Sequence, residues 1–84
     1  MADLLYFASL RETLGCGKEQ LDLPENVSSI SALKKLLAQR GESWAESFTG
    51  NTSLLVSVNQ QMANDQSSIE NGDEIAFFPP VTGG

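Results

Sequence analysis

Apolar residues recur along this chain with two periods, and the alternation between them gives the order of the elements. Over residues 30–40 the spacing is helical. Ile30, Leu33, Leu36 and Leu37 form one stripe, while Lys34, Lys35 and Gln39 take the solvent side. Ser29 is the expected N-cap, Arg40 suits the negative end of the helix dipole, and Gly41 is the expected stop. Over residues 54–59 the period is two, with Leu54, Val56 and Val58 on one face of a strand. The apolar, aromatic-rich run at 4–8 predicts a first strand. Ser9 and Glu12 then have capping-box spacing, so a short helical turn is expected through Leu14, closed by Gly15. Residues 19–23 alternate as a half-buried second strand that Pro24 ends. Residues 42–48 predict a short second helix, with Trp44 and Phe48 one turn apart as core filler. A loop at 49–53, a turn near Asn59, a minor strand through Met62, a turn at 70–73 and a last strand at 74–78 complete the chain. There is no internal repeat and no linker other than the tail.

One amphipathic helix must bury its stripe against a sheet. The strands flanking it cannot form a hairpin, so their connection is a crossover. Strand, turn, strand, helix, strand, minor strand, strand is the order of an α+β, β-grasp (ubiquitin-like) fold. It is a mixed sheet packed on one main helix, with residues 1–84 as a single domain. Placing the final strand beside the first sends residues 79–84 out from the middle of the sheet as a flexible tail.

Composition narrows the chemistry. With 84 residues and 40% hydrophobic content the core is modest. No apolar run approaches the roughly 18–20 residues that span a membrane, and Met1-Ala2-Asp3 lacks the basic start of a signal peptide. The expectation is a cytoplasmic protein with no membrane partner. Five basic against eleven acidic residues give a net charge of −6, which argues against nucleic acid. That charge serves solubility, or steers the chain toward a basic protein surface. One cysteine excludes an internal disulfide. With no histidine, neither a thiolate–imidazole metal cage nor a Ser-His-Asp arrangement can be assembled. No metal site is expected, and the chain is expected to act with a partner.

The candidate chemistry lies in the tail. Pro79 and Pro80 fix φ, offer no N–H and end sheet pairing. Pro80, Val81, Thr82, Gly83 and Gly84, fully extended, reach on the order of 16 Å, enough to thread a terminal carboxylate into a partner's site. Glycines at 83 and 84 enter spaces that other residues cannot. A frayed terminus is the competing reading. Beside the tail, alternation puts Phe77 and Phe78 on opposite sheet faces, which makes Phe78 a contact candidate. Cys16 lacks an activating environment beyond nearby Lys18 and reads as a loop cysteine. Asp73 and Glu74 read as a turn cap and a solvated position rather than an acid–base pair.

With Arg11-Glu12, Val58-Asn59-Gln60, Asn71-Gly72-Asp73-Glu74 and the closing Phe77-Phe78-Pro79-Pro80-Val81-Thr82-Gly83-Gly84 assembled, the chain resembles the small subunits of molybdopterin synthases. These belong to a ubiquitin-like family of sulfur carriers. A bare Gly-Gly is shared with ubiquitin, the thiamine sulfur carrier and Urm-type modifiers; the preceding Phe-Phe-Pro-Pro-Val-Thr is the specific part. The resemblance implies that an E1-like adenylyltransferase uses ATP to adenylate Gly84. A sulfurtransferase then supplies the sulfur that makes the C-terminal 1-thioglycine, a thiocarboxylate. Within a heterotetramer the large subunit receives the tail and carries the catalytic residues. Sulfur passes to cyclic pyranopterin monophosphate in molybdenum cofactor biosynthesis. This chain is then a non-catalytic sulfur donor that binds no cofactor. The resemblance adds Met62 and Arg11 to Phe78 and the tail as partner-binding candidates. The alternatives are a ubiquitin-like protein modifier, a carrier for thiamine or tRNA thiolation, and a plain interaction module.

Overall fold

The computed structural model describes residues 1–49 and 54–79. Within them the alternation of the first strand is carried through the whole sheet. In β1 (Ala2–Tyr6), Ala2, Leu4 and Tyr6 are buried, while Asp3 and Leu5 face the other way. The chain turns into α1 (Ala8–Leu14), then returns as β2 (Lys18–Leu21), antiparallel to β1. Next come α2 (Ile30–Ala38), α3 (Glu42–Phe48), β3 (Leu55–Val58), β4 (Gln61–Ala63) and β5 (Glu74–Phe78). The strand order is β2-β1-β5-β3-β4, with β1 and β5 parallel and the other pairs antiparallel. This is the expected β-grasp. β5 occupies the centre, and Pro79 follows it.

One sheet face is covered by the helices. Ile30, Leu33 and Leu37 of α2 are fully buried against Leu4, Tyr6, Ile75 and Phe77, with Val56 and Phe48 completing the core. Fully burying side chains of this size contributes about 1.5–3 kcal/mol each. Phe48 meets Phe77 edge-on at 5.1 Å, and Tyr6 meets Trp44 edge-on at 5.5 Å, so the two aromatics of α3 are core members as expected. Ser29 caps α2 by accepting a hydrogen bond from the Ala32 N–H at 3.2 Å.

Four local expectations are corrected. The first strand is Ala2–Tyr6 rather than 4–8, because the chain turns into α1 at Ala8. The capping box at Ser9 does not form: α1 begins at Ala8, with Phe7 in the cap position and no side-chain cap. Ala8 has φ 55°, and this left-handed residue turns the chain sharply out of β1. β2 is Lys18–Leu21 rather than 19–23, because Leu23 leaves the ladder; its N–H is held by Asn71 Oδ1 at 3.0 Å. α2 ends at Ala38 with Gln39 as the cap, before Arg40 can serve the helix end.

Arg40 instead ties three elements together. Its guanidinium donates to both carboxylate oxygens of Glu19 at 2.6 and 2.9 Å and lies 4.7 Å from the Trp44 ring centre. The Tyr6 hydroxyl donates to the same carboxylate at 2.9 Å. Burial pulls the Glu19 carboxyl upward, but hydrogen bonds from Arg40 and Tyr6 outweigh it and hold the group below its usual value. Burial, reinforced by Glu19, pushes the Tyr6 phenol far upward, so it stays a neutral donor. Edge strand β2 is thereby fastened to the helical layer.

Candidate functional site: the outer sheet face

Among the described residues no helix covers the second face of the sheet, and its side chains fall into rows by register. At the end where β5 runs out, Phe7, Phe78 and Leu55 stand side by side. Phe7 and Phe78 stack at 5.0 Å with their planes 8° apart, and Leu55 pairs with Phe78. Phe7 and Leu55 are each 42% exposed, and Phe78 is half-buried. The middle row is low: Leu5, Ala76 and Ser57, with Ala76 and Ser57 buried beneath their larger neighbours. Met62 on β4 closes this row opposite Ser57 and is 67% exposed. At the far end Asp3 and Glu74 lie in register on the two parallel strands, and Asp3 accepts a hydrogen bond from Gln20 Nε2. The face is thus apolar where the chain leaves the sheet and acidic at the opposite end. An exposed apolar cluster beside a strand end is a candidate contact surface.

The backbone explains the placement. Phe7 continues the alternation of Leu5, its N–H donating to the Phe77 carbonyl at 3.2 Å. Met62 is aimed by the hairpin between β3 and β4, whose two central residues, Asn59 and Gln60, both have positive φ, 52° and 69°. Paired left-handed residues match the twist of a two-residue hairpin. Asn59 further donates from Nδ2 to Asp73 Oδ1 and accepts the Glu74 N–H, each at 3.0 Å, so the hairpin is pinned to the start of β5. Asp73 also accepts the Glu70 N–H at 2.9 Å, the turn-cap role expected of it, while Glu74 faces outward.

Phe78 and Met62 therefore share one face, as sequence reasoning had them. Arg11 does not join the ring stack. Its side chain packs over Gly17, where a β-carbon would come within 2.9 Å of Nε, so the glycine makes room for it. Pro79 lies against α1 and α3, lining a cleft of about 190 Å³ with Leu10, Thr13 and Ser47. Pro80, Val81, Thr82, Gly83 and Gly84 lie outside the described residues. Cys16 is half-buried and its thiol donates to the Lys18 carbonyl at 3.5 Å. Among the described residues no group of three or more His, Cys, Asp or Glu is placed to hold a metal ion, and no helix is long and apolar enough to cross a membrane. Sequence reasoning missed Phe7 and Leu55. The period-two rule that turned Phe78 outward does the same for Phe7 once Tyr6 is placed inside, and for Leu55 once Val56 is.

Fold and face together define a β-grasp domain with an exposed apolar cluster at the exit of its central strand. The chain matches the ThiS family model over residues 4–84 and belongs to that family. It is 43% identical to the molybdopterin synthase sulfur carrier subunit of Haemophilus influenzae and 34% identical to that of Escherichia coli, covering the full length of both chains in each case. Among solved structures it is similar to a putative molybdopterin converting factor subunit 1 from Pyrococcus furiosus, with a TM-score of 0.77 and 26% identity, covering 95% of this chain and 97% of that one.

Proposed function

We propose that this protein is the sulfur carrier subunit of a molybdopterin synthase. The observation that carries the reading is positional: the Phe7–Phe78–Leu55 cluster lies at the end of β5 from which the Gly-Gly segment continues. A partner seated on the cluster therefore has the last residues within reach. The full-length similarity to carriers of that name supports the same assignment.

The chemistry follows from the terminal group. A C-terminal carboxyl has a pKa of about 3.5 and is an anion at neutral pH, hence a poor electrophile. In the proposed cycle the Gly84 carboxylate attacks the α-phosphorus of ATP on an E1-like adenylyltransferase, and pyrophosphate leaves. A sulfurtransferase persulfide then displaces AMP to give an acyl disulfide, and a thiol reductant cleaves its S–S bond, itself becoming a disulfide and leaving the C-terminal thiocarboxylate. Gly84 has no side chain to obstruct attack on its carbonyl. The large subunit receives the tail; there the thiocarboxylate sulfur attacks cyclic pyranopterin monophosphate, and water cleaves the resulting thioester, leaving the sulfur on the pterin and returning Gly84 as a carboxylate. Docking through the outer face supplies the effective concentration for this step. The groups that move protons on the pterin belong to the large subunit; this chain has no histidine with which to do so. Two carriers per pterin, in a cytoplasmic heterotetramer, match a product that receives two sulfurs.

The test is deletion of Gly84. The truncated protein should fold and melt normally yet form no thiocarboxylate and support no pterin conversion. Normal conversion by the truncated protein would overturn the proposal.

A further inference from the structure

Met62 is an oxidisable side chain on the outer face that neither the fold nor the carrier chemistry requires. Met62 is 67% exposed. The Asn59–Gln60 turn sets it opposite Ser57, and the next residue of β3 on that face, Leu55, pairs with Phe78. Two residues along a strand span about 7 Å, so the thioether stands one row from the ring stack. The other two sulfurs differ in place or access. Cys16 is half-buried with its thiol engaged. Met1 is also 67% exposed, but it lies at the opposite end of β1 from Phe7, where its carbonyl accepts the Gly72 N–H. Two methionines of equal exposure thus differ in place: Met62 is in the row next to the ring stack, and Met1 lies beyond Asp3 at the far end of β1.

We propose that Met62 is an oxidation site through which hydroperoxides weaken docking of the carrier; this rests on the outer face being the docking surface. A sulfur lone pair attacks the hydroxyl oxygen of the peroxide. The S–O bond forms as the O–O bond breaks, and the proton passes to the departing oxygen, which leaves as water or an alcohol. Sulfur gives up two electrons and the peroxide takes them. The sulfoxide is polar and accepts hydrogen bonds. In the free carrier it faces water, so folding is unaffected. Pressed against an apolar partner it loses its solvation without gaining a donor, so the cost falls on docking alone. A methionine sulfoxide reductase with a thiol reductant reverses the change.

The experiment treats the carrier alone with hydrogen peroxide, removes the peroxide, maps the oxidised methionines by peptide mass and titrates the protein into the large subunit. Oxidation of Met62 should weaken binding at least about tenfold, with an unchanged melt and recovery after reductase treatment. Met62→Leu, whatever its starting affinity, should keep that affinity after peroxide although Met1 is oxidised in it. Unchanged binding by protein shown to carry the Met62 sulfoxide would overturn the inference, and so would an equal loss in peroxide-treated Met62→Leu. Phe78→Ala, titrated alongside, separates the two layers. If it binds normally, the docking reading itself fails; if it binds weakly while the sulfoxide form binds well, only the oxidation inference fails.

Discussion

Phe77 and Phe78 are adjacent in one strand, and the sheet separates them into different environments. Phe77 is fully buried between Tyr6 and Phe48, at ring distances of 6.1 and 5.1 Å. Phe78 lies on the opposite face, stacked on Phe7, which is itself exposed. One ring is surrounded by core and the other borders water. A central strand in a half-covered sheet can hold the fold together with every second side chain and offer the remainder to a partner.

The comparison predicts opposite outcomes for two neighbouring truncations. Phe77→Ala should cost about 3–5 kcal/mol, as expected for removing a buried aromatic ring. For a domain of this size that lowers Tm by roughly 12 °C or more in a thermal melt. Phe78→Ala should leave the melt nearly in place and weaken binding to the large subunit at least about tenfold in titration calorimetry, equivalent to about 1.4 kcal/mol. If Phe78→Ala melts early and binds normally, the two faces have been assigned the wrong way round.

The inner layer can be probed at its polar seam. Glu19→Gln should lower Tm at neutral pH, because the Arg40 guanidinium loses its carboxylate partner. The Glu19 carboxyl is held below its ordinary value of 4.5. Its contribution is therefore present above that value and is lost as pH falls through the lower folded value. The gap between wild-type and Glu19→Gln melting curves should narrow on acidification below about pH 4.5; a gap that widened there would contradict the linkage. A smaller effect is expected at the hairpin that aims Met62. Gln60 has φ 69° and bears a β-carbon, so Gln60→Gly should raise Tm slightly, by no more than about 1 kcal/mol of stability. A clear drop in Tm would mean that the Gln60 side chain does more than tolerate the turn.

The sequence was most legible where local and tertiary demands coincide. The leucine stripe and Ser29 cap of α2, the Gly72 turn and the alternation of β5 each satisfy their own backbone and the sheet at once. It was misleading where a tertiary contact overrode a local signal. Ser9 and Glu12 have capping-box spacing, but Phe7 must remain extended to bond Phe77, so the cap position goes to Phe7. Arg40 fits a helix end by composition, but a bidentate carboxylate on β2 and the Trp44 ring hold it outside the helix. No local pattern couples Arg40 to Glu19 across 21 positions of chain. Within the candidate site, Phe78 was readable from period two alone, whereas Phe7 and Leu55 needed the register that brings β1 and β3 to the two sides of β5.

The central claim concerns the chemical state of Gly84, and a mass measurement reads it directly. The whole chain is a poor object for it, because oxidation of Met1 or Met62 adds nearly the same mass as exchanging oxygen for sulfur. Cleavage after Glu74 releases residues 75–84, which contain the terminal glycines and no methionine or cysteine. In protein purified from its own cells, this account predicts a population of that peptide heavier by the exchange of one oxygen for one sulfur. A peptide found only as the free carboxylate, even after incubation with an activating enzyme, ATP and a sulfur source that charge a related carrier, would contradict it.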